Sequence, residues 1–203
     1  MKKIKAWHFT GADRRLRYGD GREVVAGEAI AVGGQPVLCE NGLHASRKAT
    51  NALKYAPGPY VWRVEVSGDV VEGDDKLAGR CRRAIWGFDA TDLLLRFARK
   101  CALDVVDLWD APDVVVRFLK TGDGVRAAYV AAEAAYVAAE AAVAAEAYAA
   151  AYAAAYAAAR AAEAAYGAVA AEAYAAGYGA VCTKQERRLV AMLHAEARKR
   201  GIA

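Results

Sequence analysis

The chain has 203 residues, with 28 Lys and Arg against 24 Asp and Glu, a net charge of +4, and 57% hydrophobic residues. No stretch of 18 strongly apolar residues occurs, which excludes a membrane-spanning helix, and the charged start Met1 to His8 meets no apolar run of the kind a secretory signal needs. The four widely spaced cysteines, Cys39, Cys81, Cys101 and Cys182, read as free thiols of a reducing compartment rather than as a disulfide framework.

The first element in chain order is a strand from Ile4 to Phe9, rich in bulky alternating residues. After a polar loop, Ala29 to Val32 and Val37 to Cys39 read as two short strands joined at Gly33-Gly34, because that pair tolerates the positive φ of a tight hairpin. Ser46 is placed to cap a helix through Lys54, which Ala56-Pro57-Gly58-Pro59 ends. Tyr60 to Ser67 is the firmest strand, with Val61, Arg63, Glu65 and Ser67 on one face and Tyr60, Trp62, Val64 and Val66 on the other. A charged turn, Gly73-Asp74-Asp75-Lys76, precedes a strand from Arg82 to Trp86. Thr91 opens a helix to about Leu103 with Leu93, Leu94, Leu95, Phe97 and Ala98 on its inner face, and Pro112 opens another to about Lys120. Residues 1–122 therefore read as one α+β domain with a small mixed or antiparallel sheet and flanking helices.

Beyond the hinge Thr121 to Gly124 the composition changes abruptly. Between Ala127 and Ala180, 33 of 54 residues are alanine. Alanine has the highest helix propensity, so residues 123–182 are expected to be a helical tract, with no Pro or Gly from Val125 to Tyr166. That run would span about 60 Å at 1.5 Å per residue. Tyr129-Val130-x-x-Glu133 recurs seven residues later as Tyr136-Val137-x-x-Glu140, after which Tyr148, Tyr152 and Tyr156 are spaced by four, so the tyrosine stripe winds around the rod. Bare alanine faces permit close helix approach, and self-association is the expected use, with a spacer or solubilising rod as the plainer alternative. Thr183-Lys184-Gln185-Glu186 has capping-box spacing and opens a separate basic helix, residues 183–203, with Leu189, Val190, Met192 and Leu193 to bury. Its cations Lys184, Arg187, Arg188, Arg198, Lys199 and Arg200 suit a helix C-terminus, and no nucleic-acid partner is expected.

Two candidate metal sets are weak. Cys39, His44 and Cys81 lack any C-x-x-C pair for zinc, and Asp74-Asp75 offers too few oxygens for a hard cation, so no metal is expected.

Leu38-Cys39-Glu40-Asn41-Gly42-Leu43-His44-Ala45-Ser46, then Ala52-Leu53-Lys54-Tyr55-Ala56-Pro57-Gly58, then Val64 to Lys76 resemble an uncharacterised domain family of phages and prophages over roughly residues 1–120. The resemblance implies a phage accessory protein, in the cytoplasm of a bacterial host or associated with a virion. It supplies no activity. A second resemblance is to the ADP-ribosyltransferase fold, in which a first-strand His holds the NAD ribose, a Gly-hydrophobic-Tyr step follows, and a second aromatic stacks on nicotinamide. His8, Gly42-Leu43-His44, Tyr55 and Glu65-Val66-Ser67-Gly68 occur in that order. By that resemblance His8, Gly42, His44 and Tyr55 would bind NAD. The chain departs from the pattern at His44, where a Tyr is usual, and at Ala52, where a Ser is; the acidic residue is unassigned, with Glu72 and Asp89 as candidates. The plainer reading makes His8 a sheet histidine, His44 a turn-stabilising side chain, and Tyr55 an aromatic at a helix end. The leading expectation is a non-enzymatic interaction protein, a homo-oligomer with an unidentified host or phage partner and no cofactor; the alternative is an NAD-consuming transferase or degenerate nucleotide binder.

Overall fold

A computed structural model describes residues 3–108, 111–124, 129–134 and 180–203. The chain divides into two compact units, Met1–Thr91 together with Glu186–Ala203, and Asp92–Gln185. The fold is α+β.

The first unit contains β1 (Ile4–Thr10), β2 (Ala29–Ala31), β3 (Leu43–Ala45), α1 (Ala49–Lys54), β4 (Tyr60–Ser67), β5 (Val71–Glu72), β6 (Leu77–Gly79) and β7 (Cys81–Asp89). They form a four-stranded sheet in the order β1-β4-β7-β2 and a three-stranded sheet in the order β3-β6-β5. Every pairing is antiparallel. The firmest strand of the sequence, β4, sits in the middle of the larger sheet, paired along its length with β1 and β7.

Both faces of that sheet are covered. On one face Ile4, Ala6, Trp62, Val64, Val66 and Ala84 pack with Ala45 and Leu77 of the smaller sheet and with Val24. The close approach explains Gly79, where a Cβ would lie 2.5 Å from a Val66 methyl. The opposite face carries Trp7, Phe9, Val61, Trp86 and Phe88. The switch of β7 between faces has a definite cause. Val64 pairs with Ala84 but Arg63 pairs with Trp86, so Ile85 is the extra residue of a bulge. Ala84 therefore faces the smaller sheet, while Trp86 meets Trp7 edge-on at 5.7 Å on the other side.

That other side is where the final helix, α4 (Ala180–Lys199), contributes. Leu189, Leu193 and Ala197 are fully buried at a spacing of four, His194 lies edge-on to both Trp7 and Trp86 at 5.5 and 5.7 Å, and Arg200 rests 4.8 Å over the Phe88 ring. Glu186 at the start of this stretch accepts from the backbone N–H groups of Ala49 and Thr50, each at 2.8 Å, and from the Thr50 hydroxyl at 2.7 Å. A carboxylate distant by well over a hundred residues thus caps α1, whose own N-cap Lys48 makes no side-chain bond.

Several expected elements are corrected here. Ser46 does not cap α1; its backbone pairs with Trp7, which delays the helix to Ala49. Val37–Cys39 is not a strand, because Val37 and Asn41 close a tight loop onto each other while the Asn41 amide donates to the carbonyls of Gly33 and Gln35. Its would-be partner, β2, pairs instead with β7. α4 begins at Ala180, before the expected Thr183, and Glu186 serves α1 rather than its own helix.

The second unit contains α2 from its second residue (Thr91–Leu103), a 3-10 turn (Val106–Leu108), α3 (Asp113–Thr121) and helical residues 129–134. The start of α2 is stapled by Asp89, whose carboxylate accepts from the Thr91 N–H and hydroxyl at 2.9 and 2.6 Å. Ala102, Val115, Phe118, Leu119 and Ala132 form a small core joined by Tyr129 and Ala131. In the first repeat Val130 is exposed and Ala132 is buried, so alanine supplies the packed side there. The rest of the expected rod lies outside the described residues.

Candidate functional site

His8 and Arg82 lie on the face of the larger sheet that is turned to the smaller one, and Arg82 reaches the His44 backbone of β3. His8 stands on β1 opposite Trp62, and Arg82 stands on β7 between Val66 of β4 and Ile30 of β2. Arg82 is 3% exposed, a charged residue in a buried register, and its Nη1 donates to the His44 carbonyl of β3. Burial, opposed by Asp20 and reinforced by Arg22, pushes its guanidinium down to about 10. The other terminal nitrogen, Nη2, is enclosed and without a hydrogen-bond partner among the described residues.

His8 is held well below the usual imidazole range by burial first, then by Arg82 and His44. His44 is lowered by burial, opposed by a bond to the Gly42 backbone. Its Nε2 accepts from the Cys39 N–H at 3.0 Å, so the imidazole is neutral and both of its nitrogens stabilise the turn at residues 39–44. Gly42 is required there. Its φ is +118°, and a Cβ would lie 3.2 Å from the Ala78 methyl.

Tyr55, the C-cap of α1, projects to the charged turn instead: its hydroxyl donates to Asp75 at 2.6 Å and Lys76 lies 4.6 Å over its ring. The Asp75 bond raises the phenol, and Cys39 followed by Tyr55 holds Lys76 up. Lys76 also acts on His44. The structure therefore brings Arg82 to the His44 backbone, places His8 on the same face of the larger sheet as Arg82, and turns Tyr55 to Asp75 and Lys76. Ring contacts among the described residues include no His44–Tyr55 pair. Of the candidate acids, Glu72 is gripped by Arg47 at 2.7 and 2.9 Å, and Asp89 staples α2.

A hairpin flap at residues 14–24 borders this cluster. Leu16 and Val24 anchor it in the core, Arg17 donates to the Pro57 carbonyl, and Arg22 donates to the Ala31 carbonyl while holding both Asp20 oxygens at 2.6 and 2.7 Å. Sequence reasoning named His8, Gly42, His44 and Tyr55 but missed Arg82 and Asp20. The signal for Arg82 was present: it shares parity with Ala84, Trp86 and Phe88 in β7, which puts a cation where an apolar residue belongs.

The three histidines make stability pH-dependent. His194 is also lowered, by burial and then by Arg63 and Arg198. A histidine lowered in the folded state binds its proton more readily when unfolded, so stability is complete above the unfolded value near 6.5 and falls as pH drops below it. Urea unfolding of the first unit should show a lower midpoint at pH 5.5 than at pH 7.5. Equal midpoints would contradict the burial of these rings.

Among the described residues, no group of three or more His, Cys, Asp or Glu gathers to hold a metal ion, and no helix is long and apolar enough to cross a membrane. No family model, curated protein or solved structure matches the chain.

Proposed function

We propose that the protein is a phage-encoded accessory or structural interaction protein, in which the α+β unit recognises a host or phage partner and the Ala/Tyr-rich tract assembles copies of the chain. The observation that supports this reading is the path of the chain. It leaves the first unit at Thr91 and re-enters it at Glu186, where Glu186 caps α1 and Leu189 and Leu193 complete the core. An inert trailing spacer needs one attachment; this segment is fastened at both ends. Its alanine faces and tyrosines then supply a surface for a second copy, as small residues permit close helix approach. Sedimentation velocity at tens of micromolar, an ordinary range for self-association, should show an oligomer, and changing Ala151 and Ala155 together to Glu should weaken it while the first unit stays folded. A monomer for the unaltered chain would remove the assembly role.

A second reading, an ADP-ribosyltransferase-like enzyme or degenerate NAD binder, is favoured by the placement of His8 and Arg82 on the face of the larger sheet that the smaller sheet covers. His44, with its ring nitrogens committed to its own turn, supports this reading less than His8 does. Incubation with NAD should then release nicotinamide or raise the thermal midpoint, and His8→Ala should abolish the effect. No shift and no release would end it.

A further inference from the structure

We propose that α4 is a strap that acid releases from the first unit, with His194 as its trigger. The seam that holds it is otherwise apolar: Leu189, Leu193 and Ala197 are buried, and the half-buried His194 lies edge-on to Trp7 at 5.5 Å and to Trp86 at 5.7 Å. The bulge at Ile85 is what aims Trp86 at this helix. Cations surround the ring. From β4, the Arg63 guanidinium lies 4.6 Å over the same Trp7 indole, with Nη1 enclosed and without a hydrogen-bond partner among the described residues. From α4 itself, Arg198 follows His194 by one turn, and Arg200 covers Phe88, on which Trp86 stacks. Lys5 of β1 and Arg83 of β7 stand further along the same face of the sheet, opposite Glu65 of β4. The acids of this face are taken. Glu65 pairs with Lys3 at 3.9 Å, Glu196 holds Arg200 at 2.9 Å, and Glu186, which offsets Arg63 in part, commits both oxygens to the start of α1.

An imidazolium in this seam adds a charge to a cationic cluster with no free carboxylate to receive it. The Trp7 ring does not make up the difference, since its attraction for a cation is already used by Arg63. The docked ring is accordingly held below the usual imidazole range, by burial first and then by Arg63 and Arg198. A released α4 places His194 in water, where an imidazole titrates at about 6.5. Release therefore takes up a proton. Docking is at full strength above that value and weakens as pH falls below it, so for one proton the released fraction grows about tenfold between pH 7.5 and 5.5. Release bares both tryptophans and the α1 N–H groups that Glu186 caps, and it unfastens one end of residues 92–185. The strap does not rest on the assembly role: a monomer that frees α4 in acid upholds the strap and still removes that role.

The test is amide hydrogen exchange on the full chain at pH 7.5 and 5.5, with intrinsic exchange rates corrected for pH. Amides of residues 189–197 should open more often than those of β4 at both values, because α4 leaves while the sheet stays paired. Their opening constant should rise about tenfold at pH 5.5, the mark of a single proton. His194→Gln and His194→Phe cannot take up that proton and should flatten the rise. Equal opening constants for α4 and β4, a rise in α4 of less than about twofold, or a rise that both variants retain would overturn the proposal. Should both variants fail to fold, the wild-type comparison of α4 with β4 and the size of the rise decide alone.

Discussion

Replacing Glu186 by alanine is expected to destabilise the first unit by about 2–3 kcal/mol, because one carboxylate holds two orphan backbone donors and a hydroxyl. α1 has no acid in its first turn and no side-chain bond from Lys48, so nothing in its own sequence replaces the lost cap. For a unit of this size such a loss lowers the thermal midpoint by about 10–20 °C. Glu186→Gln retains one acceptor oxygen and should cost less than half as much. The check is urea unfolding of both variants, followed by tryptophan fluorescence. A change within 0.5 kcal/mol, the ordinary scatter for a surface substitution, would show that the cap is incidental.

Leu193→Ala is expected to cost about 2–5 kcal/mol, the usual range for truncating a leucine in a core that cannot collapse around the void. Leu193 and Leu189 are both wholly buried, one turn apart, on the helix that carries His194 to the two tryptophans. An exposed residue of the same helix, Arg187, serves as control: its alanine variant should change stability by less than 0.5 kcal/mol. If the leucine and arginine variants behave alike, α4 is not part of the core of the first unit.

How far these features could be read from sequence depended on whether their causes were local. β1 and β4 were legible because alternating bulky residues specify a strand wherever it pairs. The helices that follow Thr91 and Pro112 were legible because start signals and periodicity agree. The loop at Gly33-Gly34 was read correctly as turn-forming, since Gly34 does take a positive φ of 76°, yet the strands flanking it were paired wrongly: β2 finds β7, some fifty residues away. Strand pairing is a tertiary decision, and a three-residue strand such as β3 or β6 carries too little pattern to announce it. The same holds for caps. Ser46 had the right chemistry to start α1 but was taken by a backbone pairing with Trp7, and the working cap came from Glu186. Nothing in the alternation of β7 revealed the bulge at Ile85, which turns Trp86 toward α4. At the candidate site, His8 and Gly42 were found by type and order, whereas Arg82 was readable only by asking why a cation shares the parity of Ala84 and Trp86.

The first unit is held to be complete only when the end of the chain returns to it, with residues 92–185 as an excursion. The most direct test joins Thr91 to Glu186 through a flexible Gly/Ser linker of about 12 residues, which reaches roughly 20 Å on average. Unfolding of this shortened chain is then followed in urea by near-ultraviolet circular dichroism. A single cooperative transition with the native tryptophan signal, and its loss when residues 186–203 are also removed, is the expected result. A shortened chain without fixed tertiary signal, or one that keeps that signal after residues 186–203 are deleted, would contradict it.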